Sequence, residues 1–294
     1  HTWASNFNRP IAVKNLKNMH YQTISELAPR IESGEISPVD LTKAQLKRIK
    51  DLDPQLRSYA TVTEDLAIEQ AERAKKEIAN GLYRGKLHGI PIAVKDLCNT
   101  AGIRTMGGSA VFAHNVPNHN ATVVNKLNEA GSVLLGKLNM TEGAMGGYHP
   151  DFQIPENPWR ATYWSGASSS GSGSATAAGL AYATLGSDTG GSIRHPAAVC
   201  GTVGLKPTWG RVSRYGVMDL APSLDHVGPL TRSAKDAGIM LEAISGHDSK
   251  DSTSLPQHVP DMLSNVGKNL KGIKIGWDEE YATTGVEPSF ASDG

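Results

Sequence analysis

Hydrophobic positions recur along this chain with two periods, and the alternation of those periods predicts an α/β order of elements. Between Thr23 and Glu32 the apolar residues are Ile24, Leu27 and Ile31, a stripe on one face of a helix that covers a core. Ser37 and Pro38 open a second helical segment running to Asp53, with the serine as N-cap and the proline at the first helical position. Leu56 to Thr63 alternates as a strand, Glu64 to Asn80 is an Ala- and Glu-rich helix, and Ile90 to Val94 has the unbroken apolar pattern of a buried strand. The order then repeats. Helices are predicted over Ala121 to Ala130, Gly173 to Leu180 and Ala234 to Ile244, with strands over Ser132 to Leu138 and Ala181 to Leu185. Ser245 to Pro260 reads as a polar loop, Gly272 to Gly276 as a strand, and Val286 to Gly294 as the start of a further element. This order predicts a mixed central sheet covered by helices.

The 294 residues contain no charged or proline-rich linker, so one domain over 1–294 is expected. Charge balances at 29 basic against 29 acidic residues with no basic face, which argues against nucleic acid and membrane surfaces as partners. A small neutral or hydrophobic ligand fits better. The longest low-charge run, Ala175 to Gly186, falls far short of the roughly 20 residues that span a bilayer. Cys98 and Cys200 lack CxxC pairing and read as reduced, buried spacers. The chain opens at His1, which points to a processed, truncated or engineered start. A cytoplasmic location is expected, and an exported mature form stays open, as does a homodimer.

Candidate chemistry narrows quickly. Gly131 to Leu138 nearly matches a phosphate-binding loop, but Leu138 replaces the metal-binding hydroxyl and the segment has a strand's pattern. There is no GxSxG elbow and no HExxH, and His114 and His119 sit in a polar loop, so neither a cofactor nor a metal site is expected. Two Gly- and Ser-rich loops remain, Ser165 to Ser174 and Gly186 to Ser192, with Ser168 and Ser192 standing 24 residues apart. The second presents successive backbone N–H groups beside a hydroxyl, the arrangement of an anion hole next to a nucleophile. A serine nucleophile needs a base. His195, or His226 with Asp225, could serve; so could Lys95, which ends the buried strand. A lysine neutral at pH 7 gives up roughly 4 to 5 kcal/mol, which burial can supply. From these residues alone Lys95 is either the base or the partner of Asp96.

GIPIAVKD around Lys95, GASSSGS from Gly166 to Ser172, and GSDTGGSIRHPAAVCGTVGLKPTWGRVSRYGV from Gly186 to Val217 together resemble the amidase signature family. The similarity runs from about Leu87 to Gly238 and more loosely through an N-terminal helical cover over about 20–80. It implies an α/β/α fold and a Ser–cis-Ser–Lys triad: Ser192 as nucleophile, Ser168 as bridging serine after a cis peptide, and Lys95 as general base. Thr189, Gly190, Gly191 and Ser192 match the oxyanion-hole donors, and Met145, Gly146 and Tyr148 correspond to a loop near the substrate. The implied activity is hydrolysis of a small-molecule amide. The alternatives are a non-catalytic anion-binding protein and an ammonia-generating amidotransferase subunit. Asp188 and Arg194 are expected to pair and hold the oxyanion loop. The chain has Ala167 where the family most often has glycine, and relatives continue past its end, so the C-terminal part of the family fold is expected to be missing.

Overall fold

The computed structural model of the chain describes residues 19–287. By their contacts these residues fall into two compact units, one ending at Leu263 and one beginning at Ser264, against the single unit expected over 1–294. The first unit is built on a six-stranded sheet. Its strands are β1 (Tyr59–Val62), β2 (Pro91–Lys95), β3 (Val133–Leu138), β4 (Ala183–Asp188), β5 (Val203–Gly204) and β6 (His226–Thr231), in the spatial order β1-β3-β2-β4-β6-β5. The three central strands run parallel, while β1, β6 and β5 pair antiparallel to their neighbours. The sheet is therefore mixed. Neither β5 nor β6 carries a strand pattern legible in the sequence.

Side-chain alternation along the central strands builds a core on each face. Ile92 and Val94 of β2, Leu134 of β3 and Leu185 of β4 cluster with α1 (Ile24–Glu32), α4 (Thr122–Glu129) and α7 (Ala234–Ile244). Ala93 of β2 with Val133 and Leu135 of β3 cluster with α2 (Pro38–Leu56), α3 (Glu64–Ala79) and α5 (Ser170–Ala177), and α6 (Arg194–Cys200) packs beside α5. Helix thus lies on both faces, as expected. The helix that follows Ser37 starts at the cap expected for it, and two more starts carry caps that the structure adds. Thr23 forms a capping box with Glu26, Ser37 accepts from the Asp40 N–H ahead of Pro38, and Ser233 caps α7.

α5 is the unusual element. Its sequence, SGSGSATA, has poor helix propensity, yet it is buried along nearly its whole length. Small residues are what permit that position. A Cβ on Gly171 would stand 2.5 Å from the carbonyl oxygens of both Asn139 and Ser58. Two of its hydroxyls are satisfied inside the core: Ser172 donates to the Leu185 carbonyl at 2.9 Å and Ser174 to the Glu156 carbonyl at 2.7 Å. At the far end, Arg48 and Gln45 donate to the carbonyls of Ala178 and Gly179, and Arg232 to those of Thr176 and Ala181. Side chains from α2 and the β6–α7 turn thus close the open C-terminus of the helix.

In the second unit, the strand expected over Gly272–Gly276 does not form. Its alternation of Ile273 and Ile275 leaves those side chains 64% and 86% exposed, and the segment pairs with no strand among the described residues. A strand needs a neighbour to satisfy its backbone groups. A short helix, α8 (Glu279–Thr283), follows with Asp278 as its cap. Of the element expected at Val286 to Gly294, residues 288–294 lie outside the described residues. No helix among the described residues is long and apolar enough to cross a membrane.

Candidate active site

β2 and β4 are parallel neighbours that end at Lys95 and Asp188, and the candidate site lies beyond those carboxyl ends. Lys95 is fully buried. Its Nζ lies 2.6 Å from Ser168 Oγ and 2.9 Å from Ser187 Oγ. Burial pushes the Lys95 ammonium down to about 7, against Cys98, Asp188 and Asp225, which favour the charged form. Asp96, the other partner open to Lys95, instead stands 3.3 Å from Lys137 Nζ and accepts from the Met106 N–H. The alternation of a strand separates adjacent residues. Lys95 is left among hydroxyls.

Ser168 is buried at the start of α5, and the Ala167–Ser168 peptide is cis. Its carbonyl accepts from the Thr141 N–H at 3.3 Å, which ties the 141–148 loop to it. Ser169 links the two Gly/Ser loops. Its N–H donates to the Ser192 carbonyl at 3.3 Å, its Oγ donates to the Ser187 carbonyl, and its Oγ accepts from the Ser187 N–H. Ser192 is half-buried, and its hydroxyl makes no hydrogen bond among the described residues. The expected contact between Ser168 Oγ and Ser192 Oγ is therefore not formed in this structure, although their loops are joined through Ser169. Hydrogen bonds of a catalytic relay are often loose before substrate closes the site.

The loop that holds Ser192 is shaped by one carboxylate. Asp188, fully buried, accepts from the N–H groups of Gly191, Ile193 and Arg194 and from the Arg194 guanidinium at 2.9 and 3.0 Å. Burial works against its charge, but Arg194 and these backbone donors outweigh it and hold the carboxyl down to about 2. The Asp188–Arg194 pair is the one expected. It also takes one of the four nominated anion donors, because the Gly191 N–H points at Asp188 Oδ1, 2.8 Å away. The N–H groups of Gly190 and Ser192 make no hydrogen bond among the described residues. At Gly191 φ is +128°, a backbone conformation that glycine supplies without strain. Thr189 Oγ1 donates to Asp225 Oδ1 at 2.5 Å, and Asp225 accepts from the N–H groups of Leu220 and Ala221. That chain of contacts was not foreseen in the sequence.

The histidine alternatives are placed elsewhere. Asp225 spends both oxygens on Thr189 and the 220–221 turn; His226 sits between the Asp188 carbonyl and Lys206 Nζ. His195 Nδ1 faces the Ala167 N–H at 3.4 Å, and its ring meets the Trp164 ring edge-on. Of the nominated substrate loop, Met145 and Gly146 are exposed, while the Tyr148 hydroxyl turns inward. Burial pushes Tyr148 up, opposed by Ser170, Trp164 and Ser165. Sequence reasoning missed Ser187, although it lies inside the GSDTGGS motif. The only signal for it was its place next to the strand-ending Asp188.

The family described as Amidase matches residues 40–292. The chain belongs to the amidase family. AmiD of Mycobacterium tuberculosis (strain ATCC 25618 / H37Rv), named as an amidase, is 48% identical over 257 residues, covering 87% of this chain and 54% of AmiD. A glutamyl-tRNA(Gln) amidotransferase subunit of Geobacter metallireducens is 49% identical over 268 residues, or 90% of this chain and 55% of that protein. Among solved amidase structures, native peptide amidase from Stenotrophomonas maltophilia matches with a TM-score of 0.76 at 38% identity, covering 81% of this chain and 51% of the other. The chain spans about half the length of the curated relatives it matches.

Proposed function

We propose that this chain carries the reactive centre of an amide hydrolase. Ser192 attacks the amide carbonyl, Ser168 passes the proton, and Lys95 is the base. The observation that carries this reading is the fully buried Lys95, held by burial at about 7 and 2.6 Å from Ser168 Oγ. Serine cannot by itself deprotonate serine, since their proton affinities are similar, and a neutral lysine behind the relay supplies the driving force. As Ser192 Oγ forms its bond to the carbonyl carbon, its proton moves to Ser168 Oγ and the Ser168 proton to Lys95 Nζ. The tetrahedral intermediate places its oxyanion against the Gly190 and Ser192 N–H groups, with Thr189 and Gly191 completing the loop. Lys95 then returns a proton through Ser168 to the leaving amine. Water hydrolyses the acyl-enzyme by the same route.

The substrate on this reading is a small-molecule amide, with Met145, Gly146 and Tyr148 beside it. Carbamates and esters present a similar carbonyl. A cytoplasmic setting fits the two buried free thiols, Cys98 and Cys200. A second reading is favoured by the relatives named as glutamyl-tRNA(Gln) amidotransferase subunits: a component that generates ammonia from glutamine for a partner. One assay separates them. Amides, anilides, carbamates, esters and glutamine are tested for released amine or ammonia, with a serine-directed fluorophosphonate as active-site label. The hydrolase reading expects Ser192 to carry the label, Ser192→Ala and Lys95→Ala to lose several orders of magnitude, and His195→Ala and His226→Ala to keep most of their rate. Activity confined to glutamine and raised by a copurifying partner favours the second reading. Labelling elsewhere, with phosphate or sulfate bound at the loops, would leave the non-catalytic alternative.

A further inference from the structure

Lys95 Nζ has two hydroxyl neighbours, and the family resemblance gives a role to only one of them. The other, Ser187, stands 2.9 Å away and is 7% exposed. It is rigidly held. Ser187 pairs with Val227 across the β4–β6 ladder, and both its backbone polar groups are bonded to Ser169 Oγ at 3.2 Å. Ser169 is in turn the residue after Ser168. Both hydroxyls that face Lys95 are thus positioned through one side chain.

The chemistry of a neutral amine explains what a second hydroxyl does there. Its nitrogen carries two N–H bonds and one lone pair, and the group turns freely about Cε–Nζ. It acts as a base toward Ser168 only while the lone pair faces Ser168 Oγ. An acceptor fixed at a second direction takes one N–H and stops that rotation. We propose that Ser187 is the positioning residue of the Lys95 amine, accepting one N–H so that the lone pair is presented to Ser168. This rests on the reading of Lys95 as general base. When the proton arrives, Nζ carries three N–H groups, and the same Ser187 oxygen accepts from the resulting ammonium. Ser187 thereby also favours the charged form.

The test follows the rate of fluorophosphonate labelling between pH 5 and pH 10 in the wild type, Ser187→Ala and Ser187→Thr. In this reaction Ser192 Oγ bonds to phosphorus and fluoride leaves, while the serine proton passes to Lys95. Ser187→Ala is expected to slow labelling by on the order of a hundredfold. Its acidic limb should move to lower pH, because the cation has lost an acceptor. Ser187→Thr keeps a hydroxyl and should restore both rate and limb. A Ser187→Ala protein with the wild-type rate, or a slow one with an unmoved limb, overturns the proposal. If Ser187→Ala does not fold, the threonine variant decides: a wild-type limb supports the role and a displaced one overturns it. The parent reading fails differently. A label on a residue other than Ser192, or undiminished labelling in Lys95→Ala, removes the base itself, and the role of Ser187 falls with it.

Discussion

At the scale of the residue, the energetic cost of the site sits on Lys95. Its amine is held near 7 inside the protein and rises to about 10.5 when the chain unfolds, so the unfolded chain binds more protons between those values. The lysine therefore destabilises the fold at pH 7, and that penalty shrinks as pH rises toward 10.5. Lys95→Met, which fills a similar volume without a charge, is expected to raise stability at pH 7 by a few kcal/mol, on the order set by about 1.4 kcal/mol per pKa unit. It should also flatten the climb of stability from pH 7 to pH 10, while labelling of Ser192 is lost. Urea melts at several pH values check the first two outcomes. A climb of stability from pH 7 to pH 10 that persists unchanged in Lys95→Met would show that another group carries it. The sequence left Lys95 undecided between Asp96 and catalysis, because strand register alone does not say which neighbouring strand offers a counter-ion. Lys137, 42 residues further on, removed Asp96 from consideration.

At the scale of the element, α5 and its two ends decide whether the hydroxyls meet. Gly171→Ala drives a methyl into two carbonyl oxygens at 2.5 Å and is expected to cost about 1 to 3 kcal/mol by overpacking. Because the helix begins at Ser170, the shift should reach Ser168, and both melting temperature and labelling rate should fall together. The opposite end carries a pH dependence. His20 is buried beside Arg48 and Arg232, neither of its ring nitrogens has a partner among the described residues, and burial with those two cations pushes it down to about 4. An unfolded histidine titrates near 6.5, so the unfolded chain binds the extra proton from 6.5 downward. Stability is then lost as pH falls from about 6.5 to about 4, by about 3 kcal/mol from this group. His20→Phe should remove that slope. A wild-type melt that is flat over this window would refute it. These contacts lay outside what periodicity could convey. Most helix starts, the Ser37 cap and the three central strands as strands were legible because each follows from local spacing, whereas α5 begins three residues earlier than expected, since its Ser and Gly residues carry no apolar stripe. β6 was missed because His226, Gly228 and Pro229 dilute its pattern.

At the scale of the whole molecule, both cores and every group of the candidate site belong to the unit that ends at Leu263. Removing residues 264–294 is expected to leave one cooperative unfolding transition and a labelled Ser192; loss of either would show that the first unit depends on that segment. The motifs made the chemistry readable from sequence because three of them recur in fixed order. The substrate was not readable, since the residues nominated to meet it, Met145 and Gly146, are exposed and carry no pattern that specifies a ligand. One further consequence follows from the buried lysine. The chain's balance of 29 basic against 29 acidic residues counts Lys95 as a cation, yet at pH 8 the folded protein holds it mostly neutral. Unfolding at that pH must draw a proton from the buffer. Heat absorbed on unfolding should therefore depend on the buffer's ionisation enthalpy, by about one proton more than for Lys95→Met. Calorimetry in Tris and in phosphate would count that proton directly, with no substrate present and no reaction taking place.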